Sequence, residues 1–138
     1  RRQRQMCIRD RANIDKMTSG YPLNDEDRRP WLTNIAAWMA ERADNGAVVA
    51  CSALKHIYRD QLRKTCPDLV FVHLAGDRKI VAKRVEARTG HFMPTSLIDS
   101  QYATLEPLAA DEAGITLNFD DTREELTTMA ATWLADVN

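Results

Sequence analysis

The chain has 138 residues, 44% of them hydrophobic and 28% charged, and a formal net charge of −1. That is enough for one domain with a real core, and no apolar run approaches membrane-spanning length. The charge is uneven: residues 1–11 hold five arginines and one acid, so 14 basic residues face 19 acidic ones in the rest, a balance with no footprint for nucleic acid.

Cys7, Cys51 and Cys66 are odd in number and lack metal-ligand spacing, which points to a reduced, cytoplasmic setting. The apolar stretch Met6-Cys7-Ile8 is too short for a signal peptide. In chain order, residues 1–11 (RRQRQMCIRDR) show no apolar periodicity and read as a non-native or disordered basic segment, a native basic arm being the other reading. Residues 12–19 predict a short helix with Ile14 and Met17 on one face, closed by Gly20 as a left-handed cap. Asn24 then caps a helix whose acidic first turn suits the positive end of the dipole. Trp31, Ile35, Trp38 and Met39 follow at helical spacing, and Asn45-Gly46 stops the helix after Asp44. Pro30 argues for a kink or a later start. Asp25, Asp27 and Arg28, set just before an apolar face, are either a solvated helix start or a hydroxyl-binding cluster.

Residues 48–52 (VVACS) are an apolar run that stops at a small hydroxyl residue, predicting a buried parallel strand at whose carboxyl end ligands collect. The chemistry should then gather at Ser52 and Lys55, unless this is a plain core strand. The next helix should bury Leu54, Ile57 and Leu62 and carry Lys55, Arg59 and Arg63 on another stripe. Lys55 and Arg59 lie close enough to the strand end to reach a phosphate or carboxylate. Residues 69–74 predict a second buried strand with His73 as a core histidine. Asp77 caps the helix after it, with Ile80, Val81 and Val85 inward and Arg84 and Arg88 one turn apart. Residues 89–94 break that helix and 96–105 predict another; arginines beside Gly and Pro hinges are what a closing lid needs. Residues 115–119 make a third strand, and Thr122 with Glu125 forms a capping box for a helix with Leu126, Met129, Trp133, Leu134 and Val137 inward. Strands alternating with helices mean an α/β fold, a parallel sheet covered by helices.

The stretches NIDKM (13–17), GYPLNDEDRRPWL (20–32), ACSALKHIYRDQLR (50–63) and GHFMPTSLIDSQYATLEPL (90–108) resemble bacterial gluconokinase, which phosphorylates D-gluconate at O6 with MgATP. The resemblance runs from Ala12 to the carboxyl end. It implies a P-loop kinase-like fold of the shikimate and nucleoside monophosphate kinase type, one domain over 12–138, with a helical lid at 89–106. The implied activity is ATP-dependent phosphorylation of D-gluconate to 6-phosphogluconate. The resemblance places Asp25, Asp27 and Arg28 in the gluconate pocket with Ser52, Lys55 and Arg59 nearby, and has His91 and Gln101 close over the substrates. Arg84 and Arg88 would start the lid and contact the adenine or phosphates of ATP, with Mg²⁺ accompanying the nucleotide. Family precedent leans to a homodimer, and the composition suggests no membrane or nucleic-acid partner.

One departure matters. No G-x-x-x-x-G-K-[ST] occurs, so the backbone cradle, the phosphate lysine and the hydroxyl that holds Mg²⁺ are not in the sequence. Nor is the strand whose Asp-Gly-Asp supplies the family's proton acceptor. Catalytic residues therefore stay unassigned, no residue is given to a metal, and the chain reads as a kinase truncated at its amino end and inactive on its own. Two alternatives stay open: a non-catalytic sugar-acid-binding module, and a kinase for another small hydroxy acid.

Overall fold

The computed structural model describes residues 11–88 and 94–137. The basic segment up to residue 10, Cys7, His91 and the first part of the expected lid lie outside the described residues. Helix α1 (Arg11–Thr18) is closed by Gly20 at φ +89°, a left-handed turn that suits glycine. Helix α2 (Asp25–Ala40) starts where Asn24 predicts, with a reciprocal capping box: the Asn24 side chain accepts from the Asp27 N–H at 2.8 Å, and the Asp27 carboxylate accepts from the Asn24 N–H at 3.0 Å. Pro30 sits inside this helix and neither delays its start nor ends it. The helix ends at Ala40, short of Asp44, and a 3₁₀ turn (Ala43–Asn45) carries the chain to Gly46 at φ +71°.

Helix α3 (His56–Thr65) lies against α2, and their contact is the core. Leu32, Ile35, Ala36 and Met39 recur at three- and four-residue spacing on α2 and meet Tyr58 and Leu62 of α3, with Trp31, Trp38, Leu69 and Phe71 packed around them. Strand β1 (Phe71–Ala75) leads through α4 (Arg78–Glu86) and α5 (Ser96–Thr104) to β2 (Gly114–Asn118), and α6 (Arg123–Val137) follows. The two strands run parallel, from Phe71↔Gly114 to Ala75↔Asn118. Asp77 caps α4 by accepting from the Lys79 N–H, and Thr122 with Glu125 forms the predicted capping box of α6. Among the described residues no helix is long and apolar enough to cross a membrane.

Three expectations are corrected. Residues 48–52 form no strand, and Val48 is 87% exposed. A strand exists only beside another, and the described residues pair only β1 with β2. The carbonyls that follow are instead satisfied by arginine side chains: Ser52 O accepts from Arg28, and Ala53 O and Leu54 O accept from Arg59. On α3, Ile57 is exposed while Tyr58 and Arg59 turn inward, because Tyr58 and Leu62, one turn apart, form the stripe that meets α2. Val137 is also exposed, at the last position of α6.

Candidate functional site

The amino ends of α2 and α3 meet at the end of the unpaired segment, and four of the predicted residues meet there with them. Arg28, in the second turn of α2, points inward and is 5% exposed. It donates to Ser52 O at 3.3 Å, its guanidinium carbon lies 5.4 Å from the centre of the Tyr58 ring, and its Nε is buried without a partner. Burial pulls its pKa down, opposed by Tyr58, Cys51, Asp25 and Asp27. Asp25 Oδ1 accepts from the Tyr58 hydroxyl and, at 3.0 Å, from Lys55 Nζ. These two bonds, Tyr58 first, hold the Asp25 carboxyl below the usual range. Asp25 in turn raises the Lys55 pKa, and burial followed by the bond to Asp25 pushes the Tyr58 phenol up.

Beside this group lies a cavity of about 160 Å³ bordered by Arg28, Leu23 and Leu54 and, from α5, by Ser100, Gln101 and Thr104. Drug-sized ligands take pockets of about 300 Å³ or more, so this one suits a smaller molecule. Helix α5 is tied over it: Glu106 N–H donates to Leu54 O at 2.8 Å, the Glu106 carboxylate accepts from the His56 N–H, and the Tyr102 hydroxyl donates to Gly76 O at 2.9 Å. A buried cation with an unmet donor, beside hydroxyl and amide side chains, is the chemistry that receives a carboxylate bearing hydroxyl groups.

The other predicted residues stand elsewhere. Asp27 is occupied by its capping box and by Lys16 of α1 at 2.5 Å, which lowers its pKa. Arg59 uses all five of its N–H donors: Nε and one terminal nitrogen grip both oxygens of Glu112 at 2.7 and 2.9 Å, and the rest reach the carbonyls of Ala53, Leu54 and Pro107. It is 3% exposed and acts as a fastener between α3 and the turn before β2. Arg84 leans over the Phe119 ring at 5.0 Å, just past the carboxyl end of β2, and Arg88 is exposed at the end of α4. Among the described residues no group of three or more His, Cys, Asp or Glu side chains converges as a cation site.

Sequence reasoning missed Tyr58, Ser100 and Thr104. Tyr58 had a signal, since it falls one turn before Leu62 and one turn after Lys55. Ser100 and Thr104 had a weaker one: with Gln101 they share one face of α5.

No protein-family model matches the chain. The chain is similar to the thermoresistant gluconokinase of Escherichia coli, 46% identical over 107 residues that cover 76% of this chain and 61% of that protein. Among solved structures it is similar to a gluconokinase from Sinorhizobium meliloti, with a TM-score of 0.79, 42% identity and coverage of 91% of this chain and 71% of that one. A sugar kinase from Janibacter sp. superposes with a TM-score of 0.84 at 48% identity, covering 90% of this chain and 73% of that one. Both have the P-loop kinase-like fold, and the parallel β1–β2 pair flanked by helices belongs to it. The chain spans 61% and 58% of the lengths of the E. coli protein and of a Gluconobacter oxydans gluconokinase.

Proposed function

Because this chain belongs to the gluconokinase family, we propose that it forms the sugar-acid side of an ATP-dependent kinase that phosphorylates D-gluconate at O6 to give 6-phosphogluconate. The observation that carries this reading is Arg28: buried, lining a small polar cavity, and with an Nε that no protein group meets. Arg28 borders that cavity, and its guanidinium is the charged donor that a substrate carboxylate there would meet. Asp25 and Lys55 stand at the same junction to accept from and donate to sugar hydroxyls, and Gln101 lines the cavity with Arg28 from α5. On the nucleotide side, Arg84 and Arg88 offer cationic groups to the phosphates.

The test is ADP release by the protein expressed from its complete open reading frame, with gluconate, glucose and a second hydroxy acid as acceptors. Gluconate alone should drive ADP formation and yield 6-phosphogluconate. Turnover with the second acid but not gluconate would overturn the substrate. A non-catalytic sugar-acid-binding module is the second reading, for which the residues that line the cavity are sufficient. Gluconate binding without ADP formation would decide for it.

A further inference from the structure

Tyr58 is 3% exposed, and one side chain here touches three charged groups of the site. Its hydroxyl donates to Asp25 Oδ1. Its ring lies 5.4 Å from the Arg28 guanidinium carbon and 5.7 Å from Lys55 Nζ, both within cation–π reach. The Tyr58 and Lys55 bonds both land on Oδ1 of Asp25, and no hydrogen bond among the described residues goes to Oδ2. A carboxylate accepts at both oxygens, so Oδ2 has lone pairs to offer.

Resting on the sugar-acid reading above, we propose that Tyr58 is a positioning residue: it fixes Asp25 so that Oδ2 accepts a hydroxyl of a hydroxy acid whose carboxylate Arg28 holds. Without the phenol, Asp25 keeps only Lys55, a flexible point charge that does not orient it. The ring separately supports Arg28 from below. The two contacts divide the recognition. Arg28 alone would take any small carboxylate, whereas a fixed Asp25 is left unpaired by an acid that lacks the hydroxyl, which is how a polar site rejects such analogues.

The experiment compares wild type with Tyr58→Phe and Tyr58→Leu, each from the complete open reading frame. Calorimetric binding of gluconate and of hexanoate, a six-carbon acid without hydroxyls, is read beside the melting temperature and a carbon-detected titration of the Asp25 carboxyl. Tyr58→Phe should stay folded with a slightly lower melting temperature, bind gluconate about tenfold more weakly, bind hexanoate unchanged, and titrate Asp25 at higher pH. Tyr58→Leu should weaken both acids, since Arg28 loses the ring. A Tyr58→Phe protein with wild-type gluconate affinity and an unmoved Asp25 titration would overturn the proposal. So would equal losses for gluconate and hexanoate in that variant. Failure of wild type to bind gluconate at all would overturn the sugar-acid reading instead, and the Asp25 titration would still decide whether Tyr58 holds Asp25.

Discussion

Arg28 and Arg59 carry the same charge at the same depth, yet their partners give them opposite roles. Arg59 has every donor matched, so its removal should cost folding. Arg28 keeps an unmet buried donor, a feature that costs stability, and it borders the cavity proposed for the sugar acid. Arg28→Ala should therefore weaken gluconate use by tenfold or more, since a charged hydrogen bond contributes about 1.5–3 kcal/mol, while the KM for ATP stays put; unchanged kcat/KM for gluconate would remove Arg28 from the pocket. Glu112→Ala should instead destabilise the fold by about 3–5 kcal/mol, because it strands the buried Arg59, and denaturant midpoints measure this. The pH dependence follows from the same pair. Arg59, then the Ala109 N–H and Arg63, hold Glu112 down from 4.5 to about 2. A depressed carboxyl contributes stability that is full above its unfolded value and is lost as pH falls through the folded one. Wild type should thus lose stability between about pH 4.5 and 2, and Glu112→Gln should lack that part of the dependence. The sequence showed Lys55, Arg59 and Arg63 on a four-residue repeat but not which would be buried. The deciding partner, Glu112, lies 53 residues beyond Arg59.

At the scale of elements, boundaries written by adjacent residues were legible and those that depend on a distant neighbour were not. Asn24, Asp77 and the Thr122/Glu125 pair start their helices where expected, because a cap needs only the first turn. Residues 48–52 have the apolar content of a strand, but strand formation rests on a pairing that no local pattern contains. The turn after β1 shows a tighter local constraint. A Cβ on Gly76 would run into the Phe119 ring, and Phe119 is the surface on which Arg84 rests. Gly76→Ala should cost about 1–3 kcal/mol by overpacking, and it should weaken gluconate binding as well as ATP use, because Gly76 O also holds Tyr102 of α5, the helix tied over the cavity. Arg84→Ala and Arg88→Ala should each lower turnover, as cations stabilise charge on a transferring phosphoryl group. If both variants keep wild-type kcat and KM for ATP, these two arginines are only a helix surface.

For the whole molecule, the α2–α3 core and the β1–β2 pair are unequal in protection. The core is closed, with Leu32 and Ile35 at 0% and 1% exposure. The sheet is not: among the described residues β1 is paired on one edge only, and Val72 and Leu74 on it are 39% and 52% exposed. Two strands alone are marginal in water, and an unpaired apolar edge is a template for association. Val48 adds a third exposed branched side chain on the segment that forms no strand. Net stability of a domain is only about 5–15 kcal/mol, which leaves little margin for an exposed, half-paired sheet. The 138-residue polypeptide expressed by itself should therefore melt broadly or aggregate. It should show no thermal shift with MgATP, since its sequence contains no G-x-x-x-x-G-K-[ST] to cradle phosphates. Differential scanning fluorimetry with and without MgATP reads both halves of this expectation. A single cooperative transition that rises with the nucleotide would overturn it, and would mean that Arg84, Arg88 and their neighbours build a phosphate site without that loop.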